Sequence, residues 1–316
     1  MNHPSLSHPV ITALLPVILL ITVGYAAGKK NWIKASATKD YSSLIFTILL
    51  PPLLFRTMAQ THPENLQVLP VLAYLGSMVV LFATVMALIG VNQRGVILSL
   101  ASTYSNTVMI GIALIGYAYG EAGQAVLFSL LSVHALIMLT STTLFLEILR
   151  KRSSAMHPAQ VALESLRDAL LQPTTWPILA GLAFSQTALS IPLVIDRPLQ
   201  LLGSAFSPLA LVLAGLTLSA TQFGTHLKPA LGLSLLKNFV HPSLVLVLGL
   251  FMGLHGMPLT VMVVAASLPI GANVFMFSQR YQESESLITT SVSVSTMMAL
   301  LSVALTMSLT SYIEKL

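Results

Sequence analysis

The sequence contains no cysteine and very little charge. Without cysteine, disulfide bonds and thiolate metal sites are excluded. Charged residues make up only 8% of the 316 positions, whereas a soluble domain carries about 25%. Hydrophobic residues make up 55%, in continuous runs rather than in the alternation typical of barrel strands, and the mean hydropathy is +0.85. The composition therefore predicts an all-α protein that crosses a membrane several times.

The sequence also lacks the motifs of common enzyme classes. It has no HExxH, no P-loop, no GxSxG and no dinucleotide fingerprint. Few ionisable residues fall inside the apolar runs, and none forms a carboxylate pair that could perform acid–base chemistry. The net charge of +5 comes from Lys and Arg in short loops, which indicates membrane topology rather than nucleic-acid binding. We expect no enzymatic activity, no cofactor, no metal and no nucleic-acid partner.

About ten apolar segments approach the roughly 20 residues that a bilayer requires. Lys29, Lys30 and Lys34 follow the first segment instead of preceding it, so we expect that segment to remain as a membrane helix and not to act as a signal peptide. The predicted segments are Ile11–Gly28, Ser42–Met58, Leu69–Gly90, Val96–Tyr119, Ala122–Leu149, Thr174–Ile191, Leu199–Ala220, Pro229–Leu254, Met257–Phe277 and Leu287–Ile313.

The loops between these segments alternate in charge. The odd-numbered loops hold most of the Lys and Arg residues, which the positive-inside rule assigns to the cytoplasm, with both termini outside. The fifth loop is the longest and divides the chain into residues 1–150, a cytoplasmic linker at 151–173, and residues 174–316. Within the linker, His157 to Gln172 predicts a short helix that either lies on the membrane surface or is solvated.

The two halves resemble each other. Pro16 corresponds to Pro177, Pro51-Pro52 to Pro208, and Asn106 to Asn273, while the fifth and tenth segments align without gaps. Because each half has five segments, an odd number, the halves must run through the membrane in opposite directions. Inverted repeats with paired broken helices are typical of secondary transporters.

The ninth segment contains a predicted helix break. Pro269 removes a backbone donor, Gly271 permits angles that a helix does not use, and Asn273 adds an amide that hydrocarbon disfavours. Broken backbone survives in a bilayer only where it is buried in protein or lines a wet cavity. The stretch predicts a substrate site; the alternative is a proline kink whose Asn packs between helices.

The matching fourth segment is unusually polar around Asn106. Ser102, Thr103 and Ser105 precede it and Gly111 follows, so this run either joins Asn273 in a site or bonds neighbouring helices together. Lys237 lies inside the eighth segment, where it is either a charge partner of the site or a lysine whose stem extends to the cytoplasmic surface.

Taken together, these residues resemble the auxin efflux carrier family, and the match covers essentially the whole chain in order. The residues that carry the resemblance are Pro16 with Gly24-Tyr25, Leu50-Pro51-Pro52-Leu53-Leu54-Phe55, Ser105-Asn106-Thr107 with Ile110-Gly111, Ala214-Gly215-Leu216-Thr217-Leu218, Lys237, Ser267-Leu268-Pro269 with Asn273, Gln279-Arg280-Tyr281 and Ser295-Thr296. One departure is Ala113, where the family often has proline, so the break in the fourth helix must depend on Gly111 and the polar run.

The resemblance implies ten helices in two inverted five-helix repeats. Helices 1, 2, 6 and 7 would form a scaffold, and helices 3–5 and 8–10 a transport domain in which the broken fourth and ninth helices cross. It further implies a bacterial inner-membrane carrier of small organic anions, such as malonate and other carboxylates, in which Asn106 and Asn273 contact substrate. A homodimer is one expectation, and sodium, proton or no coupling ion remain open.

We expect an elevator-type secondary transporter whose site holds an anion without a buried arginine. Helix halves that start near Gly111 and Gly271 would present free N–H groups and positive dipole ends to a carboxylate, together with the amides of Asn106 and Asn273 and the hydroxyls of Ser102, Thr103 and Ser105. The main alternative is a membrane receptor or sensor that binds a ligand without transporting it. A channel and an intramembrane enzyme are less favoured.

Overall fold

The protein is helical throughout the part of the chain that its structure, a computed structural model, describes: residues 9–60, 68–150, 160, 163, 167, 175–187, 189–220 and 226–313. Within those ranges the only β pairing is an isolated bridge. A short 3-10 turn, Ala35–Ala37, precedes the second helix. The helices are α1 (Pro9–Lys29), α2 (Thr38–Ala59), α3 (Val68–Ile89), α4 (Gln93–Thr103), α5 (Ile112–Arg150), α6 (Thr175–Ser185), α7 (Leu193–Ala220), α8 (Leu227–Phe251), α9 (Gly256–Ser267), α10 (Ala272–Tyr281) and α11 (Glu285–Ile313).

Several helices can cross a membrane. Among the described residues, five are long and apolar enough to do so, namely α2, α3, α7, α8 and α11. Shorter apolar helices lie at Leu14–Lys29, Thr175–Ser185 and Gly256–Ser267. The prediction of an all-helical fold is therefore confirmed for the described residues, and five of the helices have the length and composition of membrane spans. Apart from Gln160, Leu163 and Arg167, the predicted linker helix lies outside the described residues.

Prolines and one glycine shape the long helices. The α2 backbone widens into a π turn at Leu44–Leu49, directly before Pro51 and Pro52, and α8 does the same at Leu236–Val240, before Pro242. A π turn next to proline accommodates carbonyls that proline leaves without a donor. Gly120 has φ +62° inside α5 and kinks the chain between the predicted fourth and fifth segments.

The sixth and seventh predicted segments have different bounds in the structure. The sixth ends at Ser185 instead of Ile191, and α7 starts at Leu193 instead of Leu199. Asp196, assigned to a loop from the sequence, therefore lies in the first turn of α7, where a carboxylate favours the helix N-terminus. It also accepts from the Nε of Arg56 at 2.7 Å, which joins the end of α2 to the start of α7.

The helices pack in two groups. In one group, α1 lies along α7, and α2 packs against α6 and α7. In the other, α3 packs against α4 and α8, while α11 packs against α8, α9 and α10. Helix α5 and the π turn before it, Thr107–Gly111, contact members of both groups, including α7. The interrupted segments α4/α5 and α9/α10 therefore meet inside the second group, next to the first.

Candidate functional site

Helix α4 ends in the middle of its predicted segment, at the polar run. Tyr104 leaves the helix in an extended conformation, with φ −84° and ψ +109°. Asn106 then acts as the N-cap of the following turn, because its Oδ1 accepts from the Met109 N–H at 3.3 Å. Asparagine is among the preferred N-cap residues because its side-chain oxygen satisfies a free donor at a helix start. The polar run itself therefore interrupts the fourth segment.

Helix α9 ends at the predicted proline. Leu268 is extended, with φ −62° and ψ +158°, and Pro269 follows the last helical residue, Ser267, by two positions. Gly271 is the N-cap of α10, which begins at Ala272. Proline here cannot continue the helix because it has no N–H to donate.

The two interruptions cross each other and are joined by backbone hydrogen bonds. The Asn106 N–H donates to the Pro269 carbonyl at 2.8 Å, and the Gly271 N–H donates to the Tyr104 carbonyl at 2.9 Å. Between these bonds, Ser105 and Ile270 form an isolated antiparallel bridge. The crossing therefore satisfies backbone groups that two broken helices would otherwise leave unpaired inside the protein.

The two predicted glycines provide space instead of unusual backbone angles. Gly271 has φ −72° and ψ +146°, which are extended angles that a helix does not use, as predicted, but that any residue can adopt. A Cβ atom there would lie 2.7 Å from Cδ1 of Tyr104, and one at Gly111 would lie 2.8 Å from Cδ1 of Leu268. Both glycines therefore allow the two segments to approach closely.

The structure shifts one of the two predicted helix starts. The second half of the ninth segment begins at Ala272, next to Gly271 as expected. In the fourth segment, however, Gly111 is the last residue of the π turn, and the helical chain restarts at Thr107 with Asn106 as cap. The restart comes earlier because the side chain of Asn106, not the glycine, terminates the break.

The two asparagines lie at these helix starts, and both are partly exposed. The Asn273 Nδ2 donates to the Tyr104 hydroxyl at 3.0 Å. Within the described part of the chain, the Asn106 Nδ2 makes no hydrogen bond, and the first N–H groups of a helix have no partner within that helix. The crossing thus combines two helix N-termini with two side-chain amides, which is a donor-rich environment suited to an anion.

The predicted hydroxyls are placed differently from the asparagines. Ser102 and Thr103 are fully buried, and both donate to the Ser99 carbonyl, at 2.8 and 2.9 Å. The Ser105 hydroxyl is 2.8 Å from the hydroxyl of Tyr74 on α3. Two of these hydroxyls therefore bond the backbone of α4 and the third bonds a side chain of α3, and none of the three bonds an asparagine.

Lys237 supports the end of α9 from inside the protein. Its side chain is 0% exposed, so it does not reach the membrane surface. The Nζ atom donates to the carbonyls of Ala266 and Leu268, at 2.6 and 2.9 Å. A cation at this position also meets the negative end of the α9 dipole.

Sequence reasoning missed several other groups at this crossing. Asn238 donates through Nδ2 to the Ser267 carbonyl at 3.3 Å, and the Ser302 hydroxyl of α11 donates to the same carbonyl at 2.9 Å. The Ile270 N–H donates to Oγ of Ser295 at 3.1 Å. The only signal for Asn238 was its position next to Lys237 in an apolar segment. The described residues contain no cluster of three or more His, Asp or Glu that could hold a metal ion.

Comparisons with known proteins identify the family of this chain. A family model described as "Membrane transport protein" matches residues 9–307. The "Uncharacterized transporter YfdV" of Escherichia coli (strain K12) is 23% identical over 277 residues, covering 85% of this chain and 87% of that protein. A Rhizobium meliloti (strain 1021) protein named "Putative malonate transporter" is 29% identical over 313 residues, covering 92% of this chain and 95% of that protein. The chain therefore belongs to the membrane transport protein family, which confirms its resemblance to the auxin efflux carriers, and it is a membrane transporter and not an enzyme.

Proposed function

We propose that this transporter carries small organic anions, with malonate and similar carboxylates as the first candidates. The main observation in favour of an anionic substrate is that no acidic residue of the described chain balances the charge of Lys237. It is fully buried beside the crossing, whereas the aspartates and glutamates of the described chain all lie near helix ends or kinks. A buried charge without a counter-ion is costly, so an anionic substrate that binds here supplies the missing charge.

The donors at the crossing give this anion a binding pocket. A carboxylate that leaves water must replace its hydration with hydrogen bonds. The helix starts at Thr107 and Ala272 direct their positive dipole ends to the crossing, and Asn106 and Asn273 add amides. These donors are uncharged, so they add hydrogen bonds to the site without a second fixed charge beside Lys237. The name of the Rhizobium relative supports malonate as the first substrate to test.

The packing of the helices supports an elevator-type mechanism. In this proposal α1, α2, α6 and α7 form the scaffold, and the group that contains both interrupted segments carries the substrate across. Between α5 and α7 lies a cavity of about 230 Å³, lined in part by Ala113, Tyr117, Gln124 and Ser207. An interface that is not fully packed opposes sliding less than a close-packed one does. The similar pairing of α3 with α4 and of α8 with α9 supports two inverted repeats.

The distribution of charge supports an orientation in the bacterial inner membrane with both termini outside. Lys29 ends α1, Lys30 and Lys34 follow it, and Arg280 lies near the end of α10, so the positive-inside rule favours a cytoplasmic location for these two helix ends. A homodimer is the assembly that we propose to test first.

Counterflow in proteoliposomes tests the transport function. Vesicles loaded with unlabelled malonate should accumulate labelled malonate through the wild-type protein, which a receptor or a channel would not do. Asn106→Ala and Asn273→Ala should each lower binding and uptake roughly tenfold to a hundredfold, since a hydrogen bond to a charged group is worth about 1.5–3 kcal/mol. Aspartate at either position should be worse than alanine, because it repels the anion.

Asn92→Ala is the matched control for Asn106→Ala. Asn92 is the N-cap of α4, and its Oδ1 accepts from the Gly95 N–H at 2.8 Å, at the opposite end of α4 from the crossing. Loss of either cap should cost about 0.5–2 kcal/mol of stability, but only the Asn106 variant should lose uptake. Normal transport by both Asn106→Ala and Asn273→Ala would show that the two asparagines are packing residues and do not bind the anion. A lack of counterflow with every carboxylate of a panel would reject the substrate class.

A further inference from the structure

Two buried histidines lie beside the crossing without hydrogen-bond partners. His134 on α5 and His241 on α8 are each 0% exposed. Both contact the ring of Tyr74 on α3 edge to face, with centroid distances of 5.7 and 5.1 Å. All four of their ring nitrogens are unpaired among the described residues. Buried polar groups nearly always have a partner, so these imidazoles have an unused capacity to bind a proton or water.

His134 also contacts the wall of the crossing. Its ring stacks on Tyr104, with centroids 4.7 Å apart and an interplanar angle of 20°. The Tyr104 hydroxyl in turn accepts from the Asn273 amide at 3.0 Å. One aromatic ring therefore separates the His134 imidazole from an amide of the proposed anion site. His241 has no such contact with Tyr104 in the described structure, although it is equally buried.

The charges around His134 make its protonation depend on the anion. The ionisable groups that face it are Tyr74 on α3, Tyr104 directly after α4, and Lys237 and His241, which lie one turn apart on α8. The other helices packed against α5, namely α1, α2, α6, α7 and α9, carry ionisable residues only near their ends or none at all. A proton on His134 thus adds a second positive charge near Lys237 in a poorly solvated region. An anion at the crossing offsets that repulsion, and charges interact strongly where water is excluded.

We propose that His134 takes up a proton from solution when an anion binds at the crossing, which makes the protein a proton-coupled anion carrier. The proton binds an imidazole nitrogen and returns to solution on the side where the anion leaves. By thermodynamic linkage, if the bound anion raises the affinity of His134 for a proton, the bound proton raises the affinity of the site for the anion by the same factor. This inference rests on the proposed anion transport and adds the identity of the coupling ion.

Proton uptake on binding tests the inference directly. Purified full-length protein in a weakly buffered detergent solution with a pH-indicator dye receives malonate at neutral pH, and bound malonate is measured in the same sample. The wild type and His241→Gln should take up about one proton per bound malonate, because a single imidazole is the acceptor. His134→Gln should bind malonate but take up no proton. A similar uptake by His134→Gln, or loss of uptake in His241→Gln alone, would overturn the assignment to His134.

A second measurement uses only the wild-type protein, so its result does not depend on whether a variant folds. Wild-type proteoliposomes receive a malonate gradient across the membrane, and an internal dye reports pH. Proton movement with malonate, and faster malonate uptake when the inside is alkaline, are expected. Malonate flux without proton movement would reject the coupling while leaving the proposed function intact. A wild-type protein that neither binds nor moves malonate would instead reject the proposed function, and this inference with it.

Discussion

Lys237 makes a structural contact and, in the proposed function, also supplies a charge that balances the anion. Its amine holds two carbonyls at the interrupted end of α9, at 2.6 and 2.9 Å. The last carbonyls of a helix have no donor within that helix, so the lysine satisfies two carbonyls that the end of α9 leaves open. In the proposed function, the same amine supplies a positive charge for the anion at the crossing. These two roles can be separated by substitution.

Lys237→Gln and Lys237→Met separate the two roles of Lys237. Glutamine keeps an amide donor for the Ala266 or Leu268 carbonyl but removes the charge, whereas methionine removes both. If the charge balances the anion, both variants should lose malonate binding in equilibrium binding assays. Only Met should also lose about 1–3 kcal/mol of stability, from carbonyls left unsatisfied, in thermal unfolding.

Lys228→Gln, at an exposed position in the first turn of α8, is the control and should behave as the wild type. Wild-type affinity in Lys237→Gln would reduce Lys237 to a helix cap and would remove the support that its charge gives to an anionic substrate.

At the scale of the elements, the crossing depends on how closely two interrupted helices approach. The backbone bonds at 2.8 and 2.9 Å require Tyr104 and Gly271 to be adjacent, and a side chain at Gly271 would enter the Tyr104 ring. Side chains from α8 and α11 then hold the free end of α9 in place. The crossing is therefore fixed by contacts between elements, not by the local conformation of either break.

Gly271→Ala should destabilise the crossing. The added Cβ would lie 2.7 Å from Tyr104 and 3.1 Å from the Ser105 carbonyl, and overpacking of this kind costs about 1–3 kcal/mol. We expect a lower midpoint of thermal unfolding in detergent and weaker malonate binding. Gly232→Ala on α8 is the control, since no heavy atom lies within 4 Å of its added Cβ and alanine favours a helix by about 0.8–1 kcal/mol. Equal behaviour of the two variants would contradict the proposed close approach.

At the scale of the whole molecule, two groups of helices meet along α5 and α7. The ion pair between Arg56 and Asp196 ties α2 to α7 within one group, and the other group contains both interrupted segments. In the proposed elevator mechanism, one group would move relative to the other while the crossing stays intact. The direction of such movement in the cell depends on the orientation of the molecule in the membrane.

Single cysteines test that orientation without background, because the chain has no cysteine of its own. Ser36→Cys lies after α1 and Gln186→Cys after α6, and both positions are exposed. With both termini outside, an impermeant thiol reagent should label Gln186→Cys in intact cells and leave Ser36→Cys unlabelled. A permeant reagent should label both. The reverse pattern would invert the proposed orientation.

The sequence by itself determined the class of the protein and the position of one break. Its low charge and long apolar runs are sufficient to predict a helical membrane protein. A chain that crosses hydrocarbon must satisfy its own backbone hydrogen bonds, and a helix does so within one segment. Pro269 could be identified as a helix break because the loss of a backbone donor is a local event. Asn106, Asn273 and Lys237 could be singled out because polar residues inside membrane segments are costly.

Only the tertiary structure decided what those residues contact. It placed the fourth-segment restart at Thr107 instead of Gly111, turned the hydroxyls of Ser102 and Thr103 toward backbone, and gave Lys237 two carbonyl partners. It also paired Arg56 with Asp196 across 140 positions of sequence. Such contacts join side chains from helices far apart in the chain, so they follow from how the helices pack and not from the pattern within any one segment.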